Sequence, residues 1–169
     1  MRTSRQPVRA LDRLDRRILG VLQADGRISM KELAEAVGLT ITPCIERVKR
    51  LERDGVIMGY YARLNPALLG SALLVFVEIS LGNKSGNMFE QFRREVLRIP
   101  EVLECHLVSG DFDYLIKARI REIGEYRRLL GDILLQLPGA AQSKSYVVME
   151  EIKETLAIAV DEKERSQPG

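Results

Sequence analysis

The sequence predicts an α+β protein in two parts, because the type of apolar repeat changes near residue 71. Before that point, apolar residues recur at helical spacing in three short segments that glycines separate. After it, strand-like alternation and helical spacing take turns along the chain. We therefore expect a small helical domain followed by a sheet that carries helices.

The first two helices have well-marked ends. Asp12 is placed to cap the first, which Asp25-Gly26 ends. Ser29 and Glu32 have the spacing of a capping box, so the second helix is expected to begin there. Gly38 ends the second helix, because glycine accepts the positive φ of a helix terminus.

The third helix is predicted to begin near Thr40 and to bury an apolar stripe of Cys44, Val48 and Leu51. Basic side chains lie off that stripe, and the apolar segment 56–64 that follows is expected to form a strand or hairpin, the wing. This pattern predicts a winged helix-turn-helix whose third helix enters the major groove of double-stranded DNA. The expected DNA contacts, with base edges and phosphates both open as targets, are Ser29, Thr40, Ile41, Thr42, Arg47, Lys49, Arg50 and Arg53. A small helical bundle with a solvated charged face is the alternative.

The C-terminal half has the pattern of a split βαβ unit. Strands are expected over 73–81, 102–109, 112–120 and 143–152, with helices over 87–99 and 123–137. The order βαββαβ predicts a ferredoxin-like domain. Both faces of its strands carry apolar residues, whereas two helices can cover only one face. The second face is therefore expected to pack on another copy of the chain, giving a homodimer with two DNA-reading helices.

Composition narrows the possible functions. Residues 1–65 hold 13 lysines and arginines against 8 acidic residues, and the remainder holds 13 against 16, so a polyanion is expected to bind the N-terminal half. No apolar run suits a membrane span or a secretion signal, and two isolated cysteines suit a reducing cytoplasm. The single histidine, His106, lies next to Cys105 in a strand, so the two side chains point to opposite faces. We expect no enzyme, no metal site and no cofactor.

Several long segments together resemble the Lrp/AsnC family of prokaryotic transcription regulators, and in particular its leucine-responsive branch. The matching segments extend from about Leu11 to Thr155, and they are 11–16, 25–29, 42–52, 74–79, 105–115 and 146–151. The resemblance divides the chain into a basic, disordered arm (1–10), a winged helix-turn-helix (11–60), a linker strand (61–71), a ferredoxin-like domain (72–155) and a tail (156–169).

The resemblance implies dimers that assemble into octamers or larger rings around which DNA wraps, as a nucleoid-associated cytoplasmic protein. It also implies an amino-acid effector, leucine or a related one, bound between dimers. The family's effector-binding residues correspond to the turn before the third strand and to the last strand of this sequence, namely Leu107, Gly110, Asp111, Asp113, Tyr146, Val147 and Val148. Asp113 is expected to take the ammonium group, and backbone N–H groups near Gly110 the carboxylate.

Three residues depart from the family pattern. Thr40 and Ile41 stand where related proteins usually have serine and proline, so the preferred DNA sequence is open. Ile123 replaces a residue, often methionine, that is linked to the leucine response. Two other functions stay as alternatives: a nucleoid-organising protein that bends DNA with little sequence preference, and an amino-acid-binding or catalytic ferredoxin-like domain with an incidental helical module.

Overall fold

The computed structural model describes residues 10–82 and 85–160, and for 132–136 the backbone alone. The described chain forms two compact units. One contains residues 10–63 together with 155–160, and the other contains Leu64–Glu154. The predicted N-terminal arm, apart from Ala10, and the tail beyond residue 160 lie outside the described residues.

The N-terminal unit contains three helices, α1 (Arg13–Ala24), α2 (Met30–Val37) and α3 (Ile41–Arg53). Both predicted N-caps are confirmed, and each is reciprocal: Asp12 exchanges hydrogen bonds with Asp15, and Ser29 with Glu32. Gly38 ends α2 in the left-handed conformation at φ 76°. Local backbone chemistry therefore fixes where these helices begin and end.

One apolar core holds the three helices together. Buried side chains come from every helix, and they are Ile18, Leu33, Ala34, Val37, Cys44, Val48 and Leu51. The predicted stripe of α3 is thus confirmed, and its opposite face is left to solvent.

The strand or hairpin expected in the wing segment 56–64 does not form within the described chain. Within residues 56–71, the structure has bends, extended backbone and turns, but no hydrogen-bonded strand, and this also applies to the predicted linker strand 61–71. A strand needs a neighbour for its backbone groups, and none lies beside this segment in the described chain. Val56 and Ile57 pack against the helical core, whereas several later apolar side chains remain exposed, among them Met58, Tyr61, Leu64 and Leu68.

The C-terminal unit has the predicted βαββαβ order. Its elements are β1 (Leu73–Leu81), α4 (Gly86–Val96), β2 (Val102–Leu107), β3 (Tyr114–Ile120), α5 (Ile123–Gln136) and β4 (Ala140–Val147). The sheet order is β2-β3-β1-β4, with every neighbouring pair antiparallel. This is the ferredoxin-like arrangement. The last strand is shorter than predicted, although the N–H of Val148 still donates to the carbonyl of Leu74.

The two faces of this sheet differ. One face packs under the helices, where the ring of Phe92 stacks on that of Tyr114 with centroids 3.9 Å apart. The other face carries mixed apolar and charged side chains. In a single protomer, the acidic side chains of Glu151 and Glu154 reach this face and pair with Arg119 and Lys117. We call it the open face.

Candidate DNA-reading surface and effector site

Four of the exposed side chains of α3 form one stripe along the helix. Thr42, Glu46, Lys49 and Arg53 are all exposed, and their spacing places them on one side of the helix, opposite the buried stripe. Three were predicted as DNA contacts, whereas Glu46 was not. Two further predicted contacts lie at the start of the helix: Thr40 is its N-cap residue, and Ile41 is 46% exposed. We call Thr42, Glu46, Lys49 and Arg53 the reading stripe.

Arg47 and Arg50, two of the predicted DNA contacts, lie off the reading stripe. Their guanidinium groups bind the carboxylates of Asp12 and Asp15 at the start of α1. Nη1 of Arg47 lies 2.6 Å from Asp12 and 2.7 Å from Asp15, and Nη2 of Arg50 lies 2.5 Å from Asp15. The Asp15 side chain is only 3% exposed. Each arginine is about three-quarters buried. We call these four residues the α1–α3 clamp.

The clamp has an electrostatic signature. Burial alone would raise the pKa of Asp12. The hydrogen bonds from Arg47 and from the backbone outweigh burial and lower the pKa of Asp12 below its usual value. Conversely, the hydrogen bond to Asp12 raises the pKa of Arg47. Both groups are therefore held in their charged forms within the protein.

The sequence itself carries a signal for the clamp. The two carboxylates are three residues apart on α1, and the two arginines are three residues apart on α3, so each pair shares one helix face. The predicted contact Ser29 is likewise engaged internally, because its hydroxyl is bonded to Glu32.

The turn between β2 and β3 combines exposed and buried groups. Leu107 is 63% exposed, and Gly110 and Asp111 are exposed as well. Asp113 is buried, and its Oδ2 accepts a hydrogen bond of 2.8 Å from the N–H of Leu81. The Asp113 carboxylate therefore ties the turn to the end of β1, while Asp111 presents its carboxylate to solvent.

The predicted effector residues on β4 are partly engaged as well. The hydroxyl of Tyr146 donates to Glu78 at 2.9 Å, and the Lys144 ammonium lies over its ring. Val147 is about one-third exposed.

The two halves of the predicted effector site lie far apart in one protomer. Leu107 pairs with Tyr114, which pairs with Ile79 near the end of β1, whereas Val147 pairs with Val75 four residues earlier. The halves also lie on the two outer strands of the sheet. With strands about 4.8 Å apart and a rise of about 3.3 Å per residue, the separation is roughly 20 Å. One small molecule cannot touch both halves in one protomer.

Other chemical groups give no second candidate site. Cys105 packs against the sheet core, and burial raises the pKa of its thiol to about 11. His106 lies on the other side, 3.2 Å from Glu104. Within residues 10–82 and 85–160, no three histidine, cysteine or acidic side chains are grouped to hold a metal ion. No helix in these ranges is long and apolar enough to cross a membrane.

Known proteins match both units. Residues 11–58 match a winged helix-turn-helix DNA-binding family, and residues 74–158 match the Lrp/AsnC ligand binding domain. The leucine-responsive regulatory protein of Escherichia coli K12 is 53% identical over 158 residues, 94% of this chain and 96% of that protein. The protein of the same name from Serratia marcescens is 54% identical over 92% of this chain and 95% of its own length.

Solved structures agree with these matches. A Neisseria meningitidis transcriptional regulator in complex with L-Met superposes with a TM-score of 0.84 at 35% identity, covering 90% of this chain and 98% of that one. An AsnC family regulator from Agrobacterium tumefaciens gives 0.84 at 35% identity over 88% and 96%. Because these matches extend over both the helical unit and the sheet unit, the chain belongs to the Lrp/AsnC family of transcription regulators, with a helix-turn-helix that binds DNA and a separate ligand-binding domain.

Proposed function

We propose that the chain regulates genes of amino-acid metabolism, and that leucine or a related aliphatic amino acid modulates its DNA binding from a site between dimers. The names of its relatives support an amino-acid effector: those in Escherichia coli and Serratia marcescens are leucine-responsive, and the Neisseria meningitidis regulator was solved with L-Met. The main support for the proposal is the distance, within one protomer, between the two halves of the predicted effector site, the β2–β3 turn and β4.

That separation favours a shared site. If both halves contact one ligand, the turn must come from one chain and β4 from another, so ligand binding and assembly are thermodynamically linked. A ligand that bridges two chains stabilises the assembly that contains both. This supplies a physical route from effector to oligomer, and hence to the number of α3 helices presented to DNA.

The chemistry of the turn suits a free amino acid. Asp111 presents a solvent-exposed carboxylate for the ammonium group, and Gly110 leaves the backbone N–H groups open to the ligand carboxylate. Exposed Leu107, with Val147 of a second chain, offers apolar surface for an aliphatic side chain at about 0.8 kcal/mol per buried CH₂. We assign to Asp113 the role of holding the turn in place.

Two features support a homo-oligomer, which we propose to be dimers that assemble into octamers or larger rings. The Arg119 side chain on the open face is 10% exposed, and its Nη1 atom has no hydrogen-bond partner among the described residues. A buried guanidinium N–H that lacks an acceptor is costly, and a second chain on this face would supply one. The exposed apolar segment from Met58 to Leu68 equally favours burial against a partner.

On the DNA side, we propose that the reading stripe, with Thr40 and Ile41 at its start, meets the major groove. On α3, Lys49 and Arg53 lie outside the clamp, with Arg53 paired to Asp54 at 3.3 Å. Arg47 and Arg50 hold α3 at its angle to α1. A regulator of this kind acts on the nucleoid, in the cytoplasm.

Sedimentation velocity with a panel of amino acids tests the effector proposal. Leucine or methionine is expected to change the sedimentation coefficient or the DNA affinity of the full chain, whereas glutamate is not, because its charged side chain does not suit the apolar cradle. If none of the twenty amino acids changes either quantity, the effector proposal is wrong.

A nucleoid-organising protein with little sequence preference is the alternative function. Both functions give a steep salt dependence, so the discriminating quantity is the ratio of specific to non-specific affinity. We expect the best duplex selected from a random pool to bind at least about 10³-fold more tightly than random competitor DNA. A ratio near one supports the alternative.

A further inference from the structure

We propose that Glu46 determines sequence specificity by accepting a hydrogen bond from the exocyclic amino group of a cytosine in the major groove. The inference rests on the proposed use of α3 as the reading helix. It goes further because it assigns one base pair to one side chain.

The position of Glu46 is the first observation. It lies on the reading stripe between Thr42, one turn before, and Lys49, one turn after. A side chain there points directly away from the buried stripe of Cys44, Val48 and Leu51. If α3 enters the groove, Glu46 faces the base edges rather than either phosphate backbone.

The charge balance around Glu46 is the second observation. The usual partner of a helical glutamate is a cation four residues later, here Arg50, but its guanidinium is bound to Asp15. Within the described residues Glu46 has no ion pair, with Lys49 or with any other cation. The clamp thus leaves the Glu46 carboxylate without a cation partner in the described part of the chain, on the surface that approaches a polyanion.

Such a charge opposes DNA binding unless a base compensates it. Guanine presents only acceptors in the major groove, and thymine presents an acceptor and a methyl group, so both repel a carboxylate. Adenine offers an amino donor, but its N7 acceptor lies beside it. Cytosine presents its N4 amino group with no acceptor of its own alongside, and it is the base that glutamate recognises. The chemistry therefore selects a C·G pair.

The test is selection of duplexes from a random pool with the full-length protein and its Glu46 variants. We expect the wild-type pool to hold one position at which C·G is preferred by at least about tenfold. Glu46→Ala should reduce that preference to within about twofold and leave the other positions unchanged. Glu46→Gln should move the preference to A·T, because an amide can pair with both N6 and N7 of adenine.

Glu52→Gln is the matched control, since it makes the same charge change on the same helix. Its carboxylate lies off the reading stripe and accepts a hydrogen bond from the Tyr60 hydroxyl. It should keep the C·G preference. If Glu46→Ala retains the preference at every position, the assignment of Glu46 is overturned while the regulator function stands. If the wild type itself selects no sequence, it is the proposed specific regulator that fails.

Discussion

Basic side chains on α3 differ in whether they already form an ion pair with α1. Arg47 and Arg50 hold buried or half-buried carboxylates of α1, whereas Lys49 makes no ion pair within the described residues. A cation that neutralises a phosphate releases a counterion, and a cation already paired within the protein does not. The salt dependence of DNA binding therefore separates the groups.

The first prediction compares Lys49→Gln with Arg50→Gln on one duplex. Lys49→Gln should reduce the slope of log Kobs against log salt by about 1. Arg50→Gln should lower the affinity with little change in slope, because it disturbs the position of α3. Fluorescence anisotropy over a series of salt concentrations measures both. An equal loss of slope in Arg50→Gln would mean that the clamp opens on DNA and that Arg50 contacts a phosphate.

The second prediction concerns Asp12 and pH. Because its pKa is lowered in the folded protein, its ion pair stabilises the fold above the unfolded pKa of about 4, and this contribution is lost as the pH falls through the folded pKa. Asp12→Asn should therefore destabilise at pH 7, by less than about 1 kcal/mol for so exposed a group, and the difference from wild type should vanish in acid. Urea unfolding at several pH values measures it. A difference that is constant with pH would exclude the ion pair as its cause.

Helix ends were predictable from sequence, because a cap is a local interaction between residues three or four apart. Asp12, Ser29 and Gly38 lie where their chemistry places them. The strand in the wing segment 56–64 could not be settled in this way, since an apolar segment with strand-like alternation still needs a neighbouring strand. The clamp is not a local interaction either. Arg47 and Arg50 look like free basic residues on a helix, because their partners lie some 35 positions earlier in sequence.

The third prediction separates backbone conformation from packing in two helices. A Cβ added at Gly38 or at Gly20 meets no atom within 4 Å, but Gly38 has φ +76° and Gly20 lies inside α1. Gly38→Ala should therefore destabilise by about 1–2 kcal/mol, the cost of the left-handed conformation. Gly20→Ala should stabilise by about 0.5–1 kcal/mol, because alanine favours a helix. Thermal unfolding of both variants measures the signs; equal signs would contradict the assigned conformations.

In the proposed oligomer, the sheet domain sets how many reading helices act together. One α3 helix with a mixed-charge stripe offers few phosphate contacts, so affinity must come from several copies binding at once. In the proposed assembly, a second chain completes both the open face and the effector site. Under this proposal, assembly and ligand binding depend on the same contacts between chains. Sequence spacing alone could not suggest this, because the separation of the two halves follows from the register of the sheet.

The last prediction tests the proposed division of the effector site between two chains. Leu107→Glu damages the turn, and Tyr146→Ala damages β4, so each variant alone should bind almost no leucine. In oligomers refolded together from equal amounts, about one quarter of the sites should combine an intact turn with an intact β4 from another chain. Isothermal titration should then recover up to that fraction of the wild-type leucine capacity, while the same variants refolded separately and combined without exchange recover none. If co-refolding restores nothing although mixed oligomers form, both halves do not belong to one site between chains. A site contained within one protomer predicts that failure, because every chain in the mixture carries a damaged half.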